Sequence, residues 1–200
     1  NMPQRIDFTY ELPDGFFWFN EPTGYSVDKG LHLTTNPNTD FWQRTHYGFQ
    51  NDNGHALLTE LSGDFSMQTH VRFQPKNRFD QCGLLVRIDA ENWIKLSTEY
   101  ETPQLSMLGS VVTNLGYSDW ATTELDADPG QMWYRISKNG PDFLLQSSGD
   151  GRKWQQLRVT HLHAPFDTIQ AGLYACSPVD GRFTCTFSYL SIDENTWEAE

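Results

Sequence analysis

Apolar and polar residues in this chain alternate with a period of two far more often than they recur at helical spacing. Over Gln81–Asp89, residues Cys82, Leu84, Val86 and Ile88 share one side, and Gln81, Gly83, Leu85, Arg87 and Asp89 the other. Over Trp93–Glu101, Ile94, Leu96, Thr98 and Tyr100 oppose Trp93, Lys95, Ser97, Glu99 and Glu101, and Phe183, Cys185, Phe187 and Tyr189 alternate near the end. Side chains of a strand point to opposite faces in turn, so these runs predict half-buried strands. Turn signals separate them: Asp28-Lys29-Gly30, Asn51-Asp52-Asn53-Gly54, Asp89-Ala90-Glu91-Asn92, Ser148-Gly149-Asp150-Gly151 and Asp180-Gly181. Asp-Gly and Asn-Gly pairs tolerate positive φ and suit hairpins. Roughly 12 to 14 strands at this spacing predict an all-β protein. The expected architecture is one β-sandwich domain over residues 1–200, with two antiparallel sheets face to face. Asn1 reads as a residue added ahead of a native start at Met2.

Charge narrows the function classes. Asp and Glu number 26 against 14 Lys and Arg, for a net charge of −12. With no basic patch, such a chain is repelled by nucleic acid and by anionic membrane surfaces. The longest apolar runs, such as Phe16 to Phe19, hold four residues, whereas a membrane-spanning helix needs about 20. No apolar secretory segment follows Met2, so a cytoplasmic location is expected. An aromatic content of 14% argues for a packed core rather than disorder. Cys82, Cys176 and Cys185 form no C-x-x-C pair, which suggests neither a disulfide framework nor a zinc site. They read as buried thiols, with a Cys176–Cys185 bridge across a hairpin as the alternative.

The polar sides of the strands are richer than solubility requires. Trp93, Lys95 and Glu99 share one side of their run, and the neighbouring run adds Gln81 and Arg87. The run from Asp40 to Phe49 adds Trp42, Arg44 and His46 on one parity, and Asp119 and Trp120 follow a later turn. A solvated sheet face with cross-strand ion pairs is the plain explanation. A groove of aromatic platforms and bidentate polar groups is the functional one. Sugars need that mixture, because their C–H faces pack on indoles while their hydroxyls need donors and acceptors together. Cationic groups there would also suit an acidic or phosphorylated ligand.

Several blocks carry a family resemblance: Asp40-Phe41-Trp42-Gln43-Arg44-Thr45-His46-Tyr47-Gly48-Phe49, Asp52-Asn53-Gly54-His55, Asp80-Gln81-Cys82-Gly83-Leu84-Leu85-Val86-Arg87 and Trp93-Ile94-Lys95 with Glu99. Further blocks are Ser110-Val111-Val112-Thr113, Ser118-Asp119-Trp120, Asp150-Gly151-Arg152-Lys153-Trp154 and Cys176-Ser177-Pro178. The chain resembles, over about residues 12–192, the regulation-of-enolase-like family of concanavalin A-like domains, whose members are mostly uncharacterised. The resemblance implies a jelly-roll sandwich similar to legume lectins, laminarinase-type glucanases and accessory domains of β-xylosidases. It also implies Ala at position 82 and Gly at position 97, where this chain has Cys82 and Ser97. Ser97 lies between Lys95 and Glu99 and would reshape a pocket there. Fold alone does not carry chemistry.

The leading expectation is a binding module for a carbohydrate or small polyol, with Arg44, Gln81, Arg87, Trp93, Lys95 and Trp120 as ligand-binding residues. An enzyme is the first alternative, with Glu99 catalytic together with Asp119 or His46. Glycoside hydrolysis uses two carboxyl groups about 5–5.5 Å apart for retention or about 6.5–9.5 Å for inversion. Glu99 and Glu101 fall about 6.5–7 Å apart on one strand. The stretch Glu99-Tyr100-Glu101-Thr102-Pro103-Gln104 lacks the central Asp and final Glu of the laminarinase motif. His46 beside Glu99 would supply acid–base chemistry near neutrality. A regulatory domain that binds another protein is the second alternative. No metal or cofactor is expected. His161-Leu162-His163 lacks further zinc ligands, and Asn51-Asp52-Asn53-Gly54 resembles a fragment of a calcium loop without the spacing or terminal Glu. Loops at 51–54 and 114–119 stand to cover the groove.

Overall fold

A computed structural model describes residues 4–198, so the reading of Asn1 and Met2 falls outside the described residues. Among the described residues there are seventeen strands and no helix. One sheet runs β15 (Gln155–His161), β14 (Asp142–Ser148), β13 (Gln131–Asn139), β8 (Phe65–Phe73), β17 (Thr184–Asp193), β4 (Leu31–Thr34) and β3 (Gly24–Val27), with β1 (Gln4–Ile6) also paired to β17. The other runs β12 (Tyr117–Leu125), β11 (Leu105–Asn114), β10 (Asn92–Thr102), β9 (Gln81–Asp89), β16 (Thr168–Cys176), β7 (His55–Ser62) and β2 (Phe16–Phe19). Both ladders are antiparallel, and the chain is the all-β sandwich expected from its alternation. A separate two-stranded ribbon pairs β5 (Phe41–Gln43) with β6 (Gln50–Asp52).

Alternation determines which side chains meet. Leu84, Val86, Ile94 and Leu96 turn inward onto Met67, Val71, Ile136, Leu145 and Phe187 of the facing sheet. Each such side chain, fully buried, contributes about 1.5–3 kcal/mol. The opposite face of β9–β10 is not given to water. Leu85, Trp93, Val111, Tyr174 and Cys176 join Phe41 and Trp42 of the ribbon in a second apolar cluster. The ribbon therefore roofs the outer face of the seven-stranded sheet. Gly54 follows the ribbon at a point where a Cβ would run into the Phe41 ring.

Register stacks that outer face in rows. Val111, Lys95 and Leu85 align in one row, Gly109, Ser97, Gly83 and Tyr174 in the next, and Met107, Glu99, Gln81 and Cys176 in a third. A Cβ on Gly83 would collide with the Leu96 carbonyl oxygen of the adjoining strand, and one on Gly109 with that of Ala121. Apart from Tyr174 at one end, the middle row is consequently short of side chains between two rows that carry longer ones.

Three expectations about local structure change. The alternation assumed from Asp40 to Phe49 stops at Gln43, because Arg44, His46 and Gly48 take φ of 61°, 62° and 80°. Left-handed residues break the pleat, so parity no longer predicts direction. Asn51 and Asp52 lie in β6, and the 114–119 segment is a tight hairpin through Leu115 and Gly116 rather than a covering loop. Cys82, Cys176 and Cys185 are all free and buried; Cys176 sits in the outer cluster and Cys185 in the main core, so the two do not face each other across a hairpin.

Candidate functional site

Between the ribbon and the outer sheet face lies a cavity of about 340 Å³. Lys95, Glu99 and Gln81 line it from the sheet, Trp42, Asn51 and Asp40 from the ribbon and its approach, and Trp120 and Val111 from the β11–β12 side. Tyr47 and Phe49 close one margin, and Phe79, Pro178 and Val179 another. Trp42 stands nearly perpendicular to Trp120, with centroids 6.3 Å apart at 82°, and to Tyr47, 5.6 Å apart at 74°. Tyr47 and Phe49 stack at 5.5 Å and remain exposed.

Lys95 is buried, its ammonium donating to Asp40 Oδ1 at 3.3 Å and to the Phe41 carbonyl at 2.9 Å. The rings of Trp93 and Tyr174 lie 5.7 and 6.0 Å from it. Burial pulls this ammonium down, but Asp40, Cys176 and Glu99 together hold it above its ordinary value of 10.5. Lys95 is thus a fixed cation and not a nucleophilic amine. Asp40 is pinned in turn, its Oδ1 also accepting from the Phe41 amide at 2.8 Å.

Glu99 differs from both. It is only 7% exposed, and no donor among the described residues reaches its carboxyl oxygens. Burial pushes it up, Lys95 pulls it partly back, and Asp40 and Glu101 add to the rise, leaving it at about 7 instead of 4.5. A carboxyl held there is divided between its two protonation states at neutral pH. Gln81 positions the neighbouring wall: its Nε2 donates to the Phe79 carbonyl at 3.0 Å, and its Oε1 accepts from the Tyr174 hydroxyl at 2.9 Å. Phe79 itself has φ of 71° and is held by its backbone N–H, which donates a hydrogen bond to the Tyr100 carbonyl. A bulky residue in that region is strained, as residues beside binding sites often are.

Of the residues singled out in the sequence, Lys95, Glu99, Gln81, Trp42 and Trp120 meet around this cavity. The others lie elsewhere. Arg44 turns to Glu91, donating at 2.6 and 3.2 Å, and to the Gly116 carbonyl at 3.0 Å. His46 is exposed on the turn, against the Tyr47 ring. Arg87 pairs with Asp52 at 2.7 Å and stacks over Phe19. Trp93 is fully buried beneath Phe41, its indole N–H donating to the Ala90 carbonyl. Asp119 pairs across to Val112, an inward-facing core residue, and so leaves the sheet on the side opposite Glu99. It pairs with Arg158 at 2.6 Å beside a separate hollow that includes His161 and His163. The Glu99–Asp119 and Glu99–His46 pairs are therefore not brought together. Asp40, Tyr47, Phe49, Phe79 and Val179 were not anticipated; Asp40 and Phe49 bound the most distinctive motif of the chain.

The remaining metal-like signals are committed to the fold. Asn53 donates to the Asn38 carbonyl and accepts from the Asp40 amide, and Asp52 holds Arg87. His161 bonds Asp142 at 2.6 Å. Among the described residues no three His, Cys, Asp or Glu side chains are grouped to hold a metal ion. No helix among them is long and apolar enough to cross a membrane.

A family model described as a protein of unknown function (DUF1349) matches residues 18–195. Regulation of enolase protein 1 of Saccharomyces cerevisiae is 35% identical over 117 residues, 57% of this chain and 56% of that protein. The chain thus spans little more than half the length of that curated relative. A functionally unknown protein from Saccharomyces cerevisiae superposes with a TM-score of 0.84 at 32% identity, covering 92% of this chain and 98% of that one. The GH43 protein BlXynB from Bacillus licheniformis, as its K247S mutant, superposes with a TM-score of 0.76 at 16% identity, covering 95% of this chain and 39% of that one. The last likeness concerns the fold alone.

Proposed function

The chain belongs to the DUF1349 family, and from that premise we propose that it is a ligand-binding β-sandwich whose outer-face cavity takes a small carbohydrate or polyol. The observation that carries this reading is the convergence of Trp42, Trp120, Tyr47 and Phe49 on a cavity that also holds Glu99, Lys95 and Asp40. Its 340 Å³ falls at the lower end of the about 300–1,000 Å³ usual for small-molecule sites. The stacked Tyr47 and Phe49 rings offer a sugar face a platform, and the buried carboxyl offers its hydroxyls an acceptor. Calorimetric titration with mono- and disaccharides tests the reading. Saturable binding that weakens at least tenfold in Trp120→Ala supports it. A folded protein that binds no neutral or charged sugar overturns it.

Glu99 near 7 favours a second reading, in which it donates a proton to a leaving oxygen and Asp40, rather than Asp119 or His46, is its neighbour in the cavity. Release of nitrophenol from aryl glycosides, lost in Glu99→Gln, would support it, and no release counts against it. The exposed Tyr47, Phe49, Leu115 and Tyr117, with the name of the yeast relative, support a regulatory role exerted on a protein partner. Retention of that partner by Tyr47→Ser/Phe49→Ser would set these residues aside.

A further inference from the structure

We infer that the occupant of this cavity is a hydroxylated organic cation, an amino sugar or amino alcohol with its nitrogen protonated or alkylated. This rests on the reading that the cavity takes a small ligand, and it adds the charge of that ligand. The arginines on this side of the molecule are engaged elsewhere: Arg44 by Glu91, Arg87 by Asp52 and Arg158 by Asp119. Lys95 is the one cation among the described residues that line the cavity, and two of its three N–H groups go to Asp40 and the Phe41 carbonyl. Both ends of the Gln81 amide are also engaged.

The charged groups that the cavity has left are acceptors, and its uncommitted donors, the Asn51 amide, the Trp120 indole N–H and the Tyr47 hydroxyl, are neutral. Asp40 Oδ2 and both oxygens of Glu99 receive no hydrogen bond from the described residues. An anionic ligand would meet these carboxyls with no uncommitted arginine to balance them. An ammonium supplies the opposite charge, and a protonated one also donates charge-assisted hydrogen bonds to these oxygens. The third N–H of Lys95 remains for a ligand hydroxyl oxygen.

Ring geometry agrees. Trp42 is set perpendicular to both Trp120 and Tyr47, which makes a corner rather than a flat platform. A compact cation in a corner meets more than one ring, and aromatic walls attract ammonium groups through their quadrupoles. The chain's net charge of −12 also raises the local concentration of cations.

Choline and its uncharged isostere 3,3-dimethylbutan-1-ol separate charge from shape, and glucosamine and glucose do so for sugars. Calorimetric titration of the full chain at pH 7.5 with all four is the test. Choline is expected to bind at least tenfold more tightly than the isostere, and glucosamine more tightly than glucose. In Glu99→Gln the choline-to-isostere ratio is expected to fall severalfold. Equal affinities within each pair overturn the cationic inference and leave the ligand-binding reading standing. Preference for choline with no binding of either sugar supports the inference and overturns the carbohydrate reading. No binding by any of the four overturns both.

Discussion

Replacing Glu99 by Gln is expected to stabilise the ligand-free protein, increasingly so as pH rises. In the unfolded chain the carboxyl ionises at its ordinary 4.5, and in the fold at about 7. Below 4.5 both states hold the proton and the residue is neutral toward stability. Between 4.5 and 7 the folded protein keeps a proton that the unfolded chain has lost, so wild-type stability falls as pH climbs. Above 7 the full penalty applies. At about 1.4 kcal/mol for each tenfold change in affinity for the proton, it amounts to about 3 kcal/mol. Glutamine keeps the shape without the charge and escapes the penalty. For a chain of this length the gain corresponds to a rise on the order of 10 °C in melting temperature at pH 8.5, and little change near pH 4.5. Melting curves of the two proteins, recorded in parallel at pH 4.5, 6.5 and 8.5, measure it. A difference in melting temperature that ignores pH, or a variant less stable than wild type at pH 8.5, refutes the reasoning. A residue whose removal improves the fold is a residue retained for something other than folding.

Other outcomes follow from the same geometry. Asp40→Asn leaves the buried Lys95 ammonium without its carboxylate and is expected to lower stability by about 3–5 kcal/mol in urea unfolding, with Lys95→Met in the same chain recovering most of the loss. Gly83→Ala drives a Cβ into the Leu96 carbonyl of the adjoining strand, and a loss of about 3 kcal/mol or more is expected; a loss under about 1 kcal/mol would show that the strands yield. Asp119→Asn breaks only an exposed pair with Arg158 and is expected to change stability by less than about 1 kcal/mol and leave ligand affinity as it was. Cys82 and Cys176 are fully buried, and burial raises both thiols well above their ordinary range, so a thiol reagent at pH 8 is expected to label them only on unfolding.

The sheets were legible because their signal is local. Gln81–Asp89 alternates cleanly and is the strand observed, and the Trp93–Glu101 run gains one residue at each end. The side on which Lys95 and Glu99 stand was legible for the same reason. What covers that side was not. Leu85 and Trp93 fall on the same parity as Gln81, Arg87, Lys95 and Glu99, and only the roofing ribbon explains why they are apolar. Arg44 and His46 were misplaced because nothing in Gln43-Arg44-Thr45-His46 announces left-handed backbone; the first glycine arrives at Gly48. Asp40 escaped notice because its role depends on Lys95, 55 residues away. Such pairings are properties of topology, and periodicity does not encode them.

The two-stranded ribbon contributes nothing to the main core, since Phe41 and Trp42 pack only in the outer cluster. Phe41 and Trp42 moor it by packing on Leu85, Trp93, Val111 and Tyr174, and polar ties add to this: the Lys95 ammonium on Asp40 and Phe41, the Arg87 guanidinium on Asp52, the Gln43 amide on the Ser118 hydroxyl, and the Thr39–Ser177 exchange. None of these ties reaches the main core, so lifting the ribbon would erase the chamber beneath and uncover the outer cluster without opening that core. Occupancy and ribbon docking then become a single equilibrium, in which a guest acts as a latch. Amide protons of Phe41, Gln43 and Asn51 should exchange more slowly when the latch is set, while those of Met67 and Ile136 keep their pace.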